Sequence, residues 1–252
     1  EMLWMGNHLF EKGQLQQAIG HLEPLLDESR SLAVATRIDA LHLTGLAHSR
    51  LEQHDQAITV FARLIEDYQR YLDPLRMDQQ RLALAKTLRD GGRDQQALRQ
   101  YHKLNEAADA VAAEALFDSA MIYREVALRH RRADESVTAE EADRSAYDRL
   151  SRLTILYPIE ELSPLPELSY LELADLLEGR GEHDKRLDAL RDLAKKFPEG
   201  PYASYANAML ALDQKKRGDA RFLLKRLSEQ SSLDPRLAGR IAKAMLEMDE
   251  SP

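Results

Sequence analysis

Apolar and small residues recur along the chain at intervals of three and four, and these runs come in pairs. Gly6-x-x-Leu9-x-x-x-Gly13 is followed by Ala18-x-x-x-Leu22-x-x-Leu25. Leu41-x-x-Thr44-Gly45-x-x-His48 is followed by Ala57-x-x-x-Phe61-x-x-Leu64, and Ala85-x-x-Leu88-x-x-x-Gly92 by Ala97-x-x-x-Tyr101-x-x-Leu104. Intervals of three and four put side chains on one stripe of a helix, whereas a half-buried strand needs strict alternation. Alternating β-branched and aromatic runs are nearly absent. The longest, Leu153-Thr154-Ile155-Leu156-Tyr157, closes a helical pattern. The pattern predicts helices joined by short turns along the whole chain.

Each unit reads as a first helix (A) carrying a small residue and a second helix (B) that opens on Ala and places a large residue four positions on. Gly45, Ala57, Ala85, Ala97 and Ala220 let two helix backbones approach, and Phe61, Tyr101, Leu190 and Leu224 fill the gap to the next unit. Gly91-Gly92-Arg93-Asp94 offers a helix stop followed by an Asp N-cap; His54-Asp55 and His183-Asp184 repeat the Asp signal. Pro201 suits a first helical turn, and Pro24 is expected to kink or shorten the helix it enters.

Three further units fit the frame. Ala120-x-x-Tyr123 pairs with Ala146-x-x-x-Leu150-x-x-Leu153, ending at Pro158. Leu173-Ala174-x-x-Leu177-x-x-x-Gly181 pairs with Leu190, Leu193 and Pro198, and Ala208-x-x-Ala211 with Ala220-x-x-x-Leu224-x-x-Leu227. This frame resembles the tetratricopeptide repeat (TPR). The resemblance implies an all-α, right-handed solenoid of about six helix pairs, at roughly 1–30, 34–70, 74–108, 112–158, 166–198 and 201–232, within a single 1–252 domain. A helix over 234–250 would cover the end of the stack. The match is loose at single positions: Arg186 stands where Ala is expected, and the spacing runs from roughly 34 to 49 residues against roughly 34 for a standard unit. Residues 129–144, opening on Arg129-His130-Arg131-Arg132, exceed the unit and read as an extended A helix and a solvated loop, or as a partner-contacting protrusion. Thr138 and Glu141 form a capping-box pattern that would start the B helix near Ala139. The Tyr157-Pro158 and Phe197-Pro198 ends, with Tyr202-Ala203, are similar to those of bacterial cell-envelope TPR proteins. An excised fragment of a longer chain, with the periplasm or envelope favoured over the cytoplasm, is the corresponding expectation.

Composition narrows the chemistry. A net charge of −8 lacks the basic footprint that general nucleic-acid binding requires. With no Cys, thiol nucleophiles, disulfides and thiolate zinc sites are excluded, and an oxidising compartment is mildly favoured. No apolar run reaches the length of a membrane span. No phosphate loop, His-Glu-x-x-His helix or nucleophile elbow occurs; His42 and His48 do not share a helix face, and pairs such as Glu140-Glu141 and Glu160-Glu161 point apart. No enzyme activity, cofactor or metal is expected.

In a TPR fold the A helices line a concave groove, so the resemblance implies which positions to read. They are Asn7 and Phe10; His42, Leu46, Ser49 and Arg50; Leu82, Lys86, Arg89 and Asp90; Phe117, Met121, Arg124 and Glu125; and Leu168, Leu171, Asp175, Tyr202, Tyr205, Met209 and Leu212. Arg50, Lys86, Arg89 and Arg124 form a basic stripe suited to a carboxylate or an acidic peptide. Phe117, Met121, Tyr202, Tyr205 and Met209 are apolar contact candidates. The family's carboxylate clamp is not matched: Leu3 and Asn7 stand at the Lys and Asn positions. A protein- or peptide-binding scaffold is the resulting expectation, with a regulatory peptide receptor, an accessory domain of a larger enzyme or envelope complex, and a self-assembling module as alternatives.

Overall fold

The computed structural model describes residues 1–107, 109–158 and 160–250, with the backbone alone at 109, 160 and 250. Residue 108, the expected end of the third unit, and the Glu160 side chain of the Glu160-Glu161 pair lie outside the described residues. Thirteen α-helices and no strand occur among the described residues. They are α1 (Met2–Glu11), α2 (Leu15–Leu22), α3 (Val34–Arg50), α4 (His54–Tyr68), α5 (Pro74–Asp90), α6 (Asp94–His102), α7 (Asp109–Arg132), α8 (Ser136–Leu156), α9 (Leu165–Gly179), α10 (His183–Lys196), α11 (Pro201–Asp213), α12 (Arg217–Ser228) and α13 (Pro235–Glu250). The fold is an all-α array of helix pairs with a terminal helix. By backbone contacts it divides into two compact units, residues 1–126 and 127–252.

One turn joins the two helices of every pair. A residue in the left-handed region closes the A helix: Gly13, Glu52, Gly92, Asp134, Gly181 or Lys215, with φ between 58° and 74°. The next residue, Gln14, Gln53, Arg93, Glu135, Glu182 or Lys216, lies near φ −90° and ψ +60°. Its N–H reaches back five residues: Gln14 to Leu9 O, Gln53 to His48 O, Arg93 to Leu88 O, Glu135 to His130 O, Glu182 to Leu177 O and Lys216 to Ala211 O, all at 2.8–2.9 Å. This Schellman geometry satisfies carbonyls that the end of a helix would leave bare. The residue after the turn starts the B helix, so Asp55, Asp94 and Asp184 are not N-caps. They lie inside the first helical turn, where their charge opposes the helix dipole.

The turn also sets a common register. Seven residues before the left-handed residue stand Gly6, Gly45, Ala85, Ala127, Ala174 and Ala208. Five residues after it stand Ala18, Ala57, Ala97, Ala139, Arg186 and Ala220. A Cβ added at Gly45 would lie 2.8 Å from the Phe61 ring, and one at Gly6 would lie 2.5 Å from Leu22. The absence of a side chain is what lets the two helices close there. In the 1–126 unit Phe61, Leu84, Leu88, Tyr101, Leu104 and Ile122 join one buried cluster. Full burial of a side chain of this size contributes roughly 1.5–3 kcal/mol. Pro24 acts as expected: α2 stops at Leu22, and a 3-10 turn, Glu23–Leu25, carries the proline.

Residues 129–144, expected as an extended A helix and a solvated loop, are helix on both sides of a short turn: the extended A helix is present, and α8 occupies most of the expected loop. α7 has 24 residues and α8 has 21, against 17 and 15 for α3 and α4. Each helix is longer by about two turns. Only Ala133, Asp134 and Glu135 separate the two. Thr138 lies inside α8, which begins at Ser136, so its capping box does not form.

Candidate protein-binding face

Alternate helices touch as well as consecutive ones. α1 contacts α3 and α3 contacts α5 in the 1–126 unit, and α9 contacts α11 in the 127–252 unit. The A helices of each unit therefore share a face.

On that face of the first unit, Leu3, Trp4 and Asn7 of α1 and Asp39, His42 and Leu43 of α3 line an open cavity of about 440 Å³. Asn7 and His42 both line this cavity. Trp4, the chain's single tryptophan, is 63% exposed at the rim. Its indole stacks on His8 of the same helix, with centroids 5.2 Å apart and planes 8° off parallel. The imidazole of His42 is fixed from behind: Nδ1 lies 2.8 Å from Oε1 of the buried Gln80, and the ring meets Phe61 edge-on. Asp39 carries a charge at the cavity edge, with the Arg76 guanidinium at 3.8 Å.

Farther along the face, two members of the expected basic stripe, Lys86 and Arg89, are matched with carboxylates. The Arg50 guanidinium lies over the Phe10 ring, 4.2 Å from its centroid, a cation–π contact. Lys86 pairs with Glu114, and Arg89 Nη1 donates to Asp118 Oδ1 at 2.6 Å and Nη2 to Asp90 at 3.1 Å. Asp118 also accepts from the Tyr101 hydroxyl at 3.1 Å. Burial raises the Asp118 pKa, while Arg89 and Lys86 oppose that rise. Burial and the Asp118 charge push the Tyr101 phenol up. Burial alone would lower Arg89, yet Asp118 and its neighbours carry it above its ordinary value and keep it charged. Tyr101, Asp118 and Arg89 are thus a linked buried-to-surface group that fixes where the guanidinium points. Arg124 and Met121 are half-buried, and Phe117 is buried in the core. The positions of Glu114 and Asp118, one turn apart on α7, could not be read from a pattern that registers apolar spacing alone.

In the second unit, Tyr202, Tyr205 and Met209 are each 7–8% exposed and belong to the packing of α11. Burial is the main cause that raises both tyrosines, each to about 12. Asp175 is engaged by Arg240 of α13, which also donates to Glu172 at 2.7 Å. Nothing in the apolar frame pointed to Arg240.

Among the described residues no group of three or more His, Cys, Asp or Glu could hold a metal ion. No helix among them is long and apolar enough to cross a membrane.

This register and these six turns define a TPR-like fold. A tetratricopeptide-repeat family profile matches residues 39–70, most of α3 and all of α4. Among solved structures, a Podosopora anserina protein with nearly identical TPR-like repeats superposes with a TM-score of 0.56 at 14% identity, over 77% of this chain and 92% of that one. A thermophilic TPR protein of Thermus thermophilus matches with a TM-score of 0.50 at 21% identity, over 80% and 95%. A Rap protein complexed with Competence and Sporulation Factor matches with a TM-score of 0.50 at 13% identity, over 99% and 74%. No curated protein matches the chain by sequence.

Proposed function

We propose that the chain is a non-catalytic scaffold that binds an extended segment of a protein partner along the A-helix face of residues 1–126. The observation that carries this reading is the cavity between α1 and α3, with an exposed Trp4 at its rim and a fixed His42 in its wall. A large aromatic held at the edge of a preformed, mainly apolar cavity is the arrangement in which binding energy concentrates. The Rap structure supports the reading, as a fold of this type that holds a bound factor. Lys86 and Arg89 supply oriented donors, but Glu114 and Asp118 already neutralise them. An acidic partner would have to displace or share those carboxylates, so the stripe steers and the cavity anchors.

Trp4 is also the probe. Partners captured by the wild-type protein are titrated against wild type, Trp4→Ala, His42→Ala and a Lys86→Glu/Arg89→Glu variant, following Trp4 emission wherever it is present. The expected result is a saturable change in Trp4 emission and at least a tenfold loss of affinity in Trp4→Ala, about 1.4 kcal/mol or more. The charge reversal should cost less. Partners that bind wild type and Trp4→Ala equally, with Trp4 emission unmoved, would place the binding face elsewhere.

A further inference from the structure

The B helices share a register on their outward side as well as their buried one. Seven residues after the left-handed turn residue stand Gly20, Thr59, Arg99, Glu141, Asp188 and Phe222, and all six are exposed. The second to fifth of these belong to pairs that have helices packed after them, so neighbouring pairs leave this position in water. Glycine and polar side chains suit that exposure. Phe222 of α12 does not: 66% of its surface is exposed, on the side of the helix opposite the buried Ala220, Leu224 and Leu227.

A single exposed phenylalanine needs no explanation, but this one lies in a strongly basic patch. On a chain of net charge −8, residues 214–228 hold Lys215, Lys216, Arg217, Arg221, Lys225 and Arg226 against one carboxylate, Asp219. Helix α13 engages two of these cations: Arg217 Nη2 donates to Met248 O at 3.1 Å, and Arg221 Nη2 to Asp249 Oδ1 at 2.5 Å. The other four are exposed, and among the described residues none has a carboxylate partner. On α10, by contrast, Arg191 pairs with Asp188 and Lys185 with Glu182. Lys225 and Arg226 follow Phe222 by three and four positions, so they share its side of the helix. They also suit the helix dipole at that end, whereas Lys215 and Lys216, at the N-terminal end of α12, oppose it. Helix stability therefore does not account for the charge at both ends.

We propose that the outward face of α12 docks an acidic segment of a partner protein. The segment covers the Phe222 ring with an apolar side chain and sets carboxylates against Lys225 and Arg226 at one end and Lys215 and Lys216 at the other. An aromatic beside an arginine is the composition in which interface energy concentrates, and unpaired cations give up no existing partner when a carboxylate arrives. The patch is one helix wide. At the register of Phe222, α10 presents Asp188, with Asp184 and Asp192 one turn to either side, all exposed. A planar anionic bilayer would meet those carboxylates too, and α12 offers it one apolar side chain to insert, because Ala220, Leu224 and Leu227 are held in the core. Nucleic acid needs a broader basic footprint. A single helix or strand lying along α12 avoids the α10 carboxylates. The site shares no residue with the Trp4 cavity, and neither reading depends on the other.

The test uses the whole chain and a fluorescein-labelled peptide as long as α12, 12 residues, built of Glu and Ala around two Leu residues at i and i+4. Fluorescence anisotropy should show saturable binding that weakens as salt is raised. The affinity should fall by at least about tenfold in Phe222→Ser and in Lys225→Glu/Arg226→Glu, and stay unchanged in Trp4→Ala. The altered α12 positions are exposed, and circular dichroism verifies the fold of each variant. Phosphatidylserine-containing vesicles and a single-stranded oligonucleotide serve as competing probes. Absence of saturable peptide binding, or binding that survives both α12 variants, overturns the proposal. So does tighter Phe222-dependent attachment to the vesicles or the oligonucleotide than to the peptide. A concentration-dependent dimer in sedimentation that Phe222→Ser abolishes also overturns it, since a second copy would then be the occupant.

Discussion

In the α3–α4 pair the residue four positions after Ala57 is Phe61, fully buried with its ring against Gly45. In the α7–α8 pair the residue four positions after Ala139 is Asp143, 5% exposed and held by Arg131 from the opposite helix. The turn geometry is the same in both, down to the backward hydrogen bond from the residue after the left-handed position. The repeat frame therefore dictates that the slot is buried, and it leaves the filling to the sequence. An aromatic ring closes the slot by dispersion and loss of water contact. A carboxylate closes it only with a cation in reach, and the unfavourable desolvation of both must be offset by their attraction. The second solution occurs where the hairpin has been lengthened by two turns, at its exposed end, where Arg131 keeps 46% of its side-chain surface in water.

The largest test of this contrast is truncation. Phe61→Ala removes a fully buried ring from the main cluster of the first unit and should destabilise by about 3–5 kcal/mol, read from the urea midpoint with the slope held constant. Asp143→Ala should cost less, about 2 kcal/mol, because the Arg131 it strands can turn toward solvent. Asp143→Leu sharpens the comparison. If the slot only needs volume, the leucine recovers most of that loss; a loss equal to that of the alanine variant would mean that the charge itself holds the hairpin.

The contrast also separates what the sequence displays from what it hides. Spacing of Ala, aromatic and Leu residues reveals helix pairs because each apolar side chain reports its own burial. Ala146, Leu150 and Leu153 are fully buried, so the apolar frame of the fourth pair was readable. Of the added turns only the extension of the A helix was readable; the start of the B helix was not, because Ala139 continues the frame while Asp143 interrupts it. The turns were half legible. Gly13, Gly92 and Gly181 mark the left-handed position, but Glu52, Asp134 and Lys215 hold it without any such sign. At the candidate face, Asn7 and His42 follow from the A-helix register. Trp4, Glu114 and Asp118 needed coordinates, since their roles depend on neighbours in other helices.

Exchanging the small residue between the two slots tests the frame itself. Gly45→Ala places a Cβ 2.8 Å from a ring that has no free space to retreat into. Overpacking of about 1–3 kcal/mol is set against the roughly 1 kcal/mol that Ala gains over Gly in a helix, for a net loss of up to about 2 kcal/mol. Ala127→Gly in the lengthened pair should cost about 1 kcal/mol, from propensity and a lost methyl group, with no clash to relieve. A stabilised Gly45→Ala protein would show that the close approach of α3 and α4 is adjustable.

The smallest effect falls on the turns. Glu52 adopts φ 58° and Asp134 φ 61°, where the side chain of an L-residue crowds the following carbonyl. Glycine at either site removes that strain but gives the unfolded chain more freedom to lose. Glutamate has no local means of offsetting the strain, so Glu52→Gly should stabilise by about 0.5 kcal/mol. Aspartate tolerates the left-handed region better, so Asp134→Gly should be close to neutral. Thermal midpoints of the two variants, measured side by side, check the ordering. If Asp134→Gly proved the more stabilising of the two, the strain at the turn would be set by the lengthened hairpin and not by the residue type occupying it.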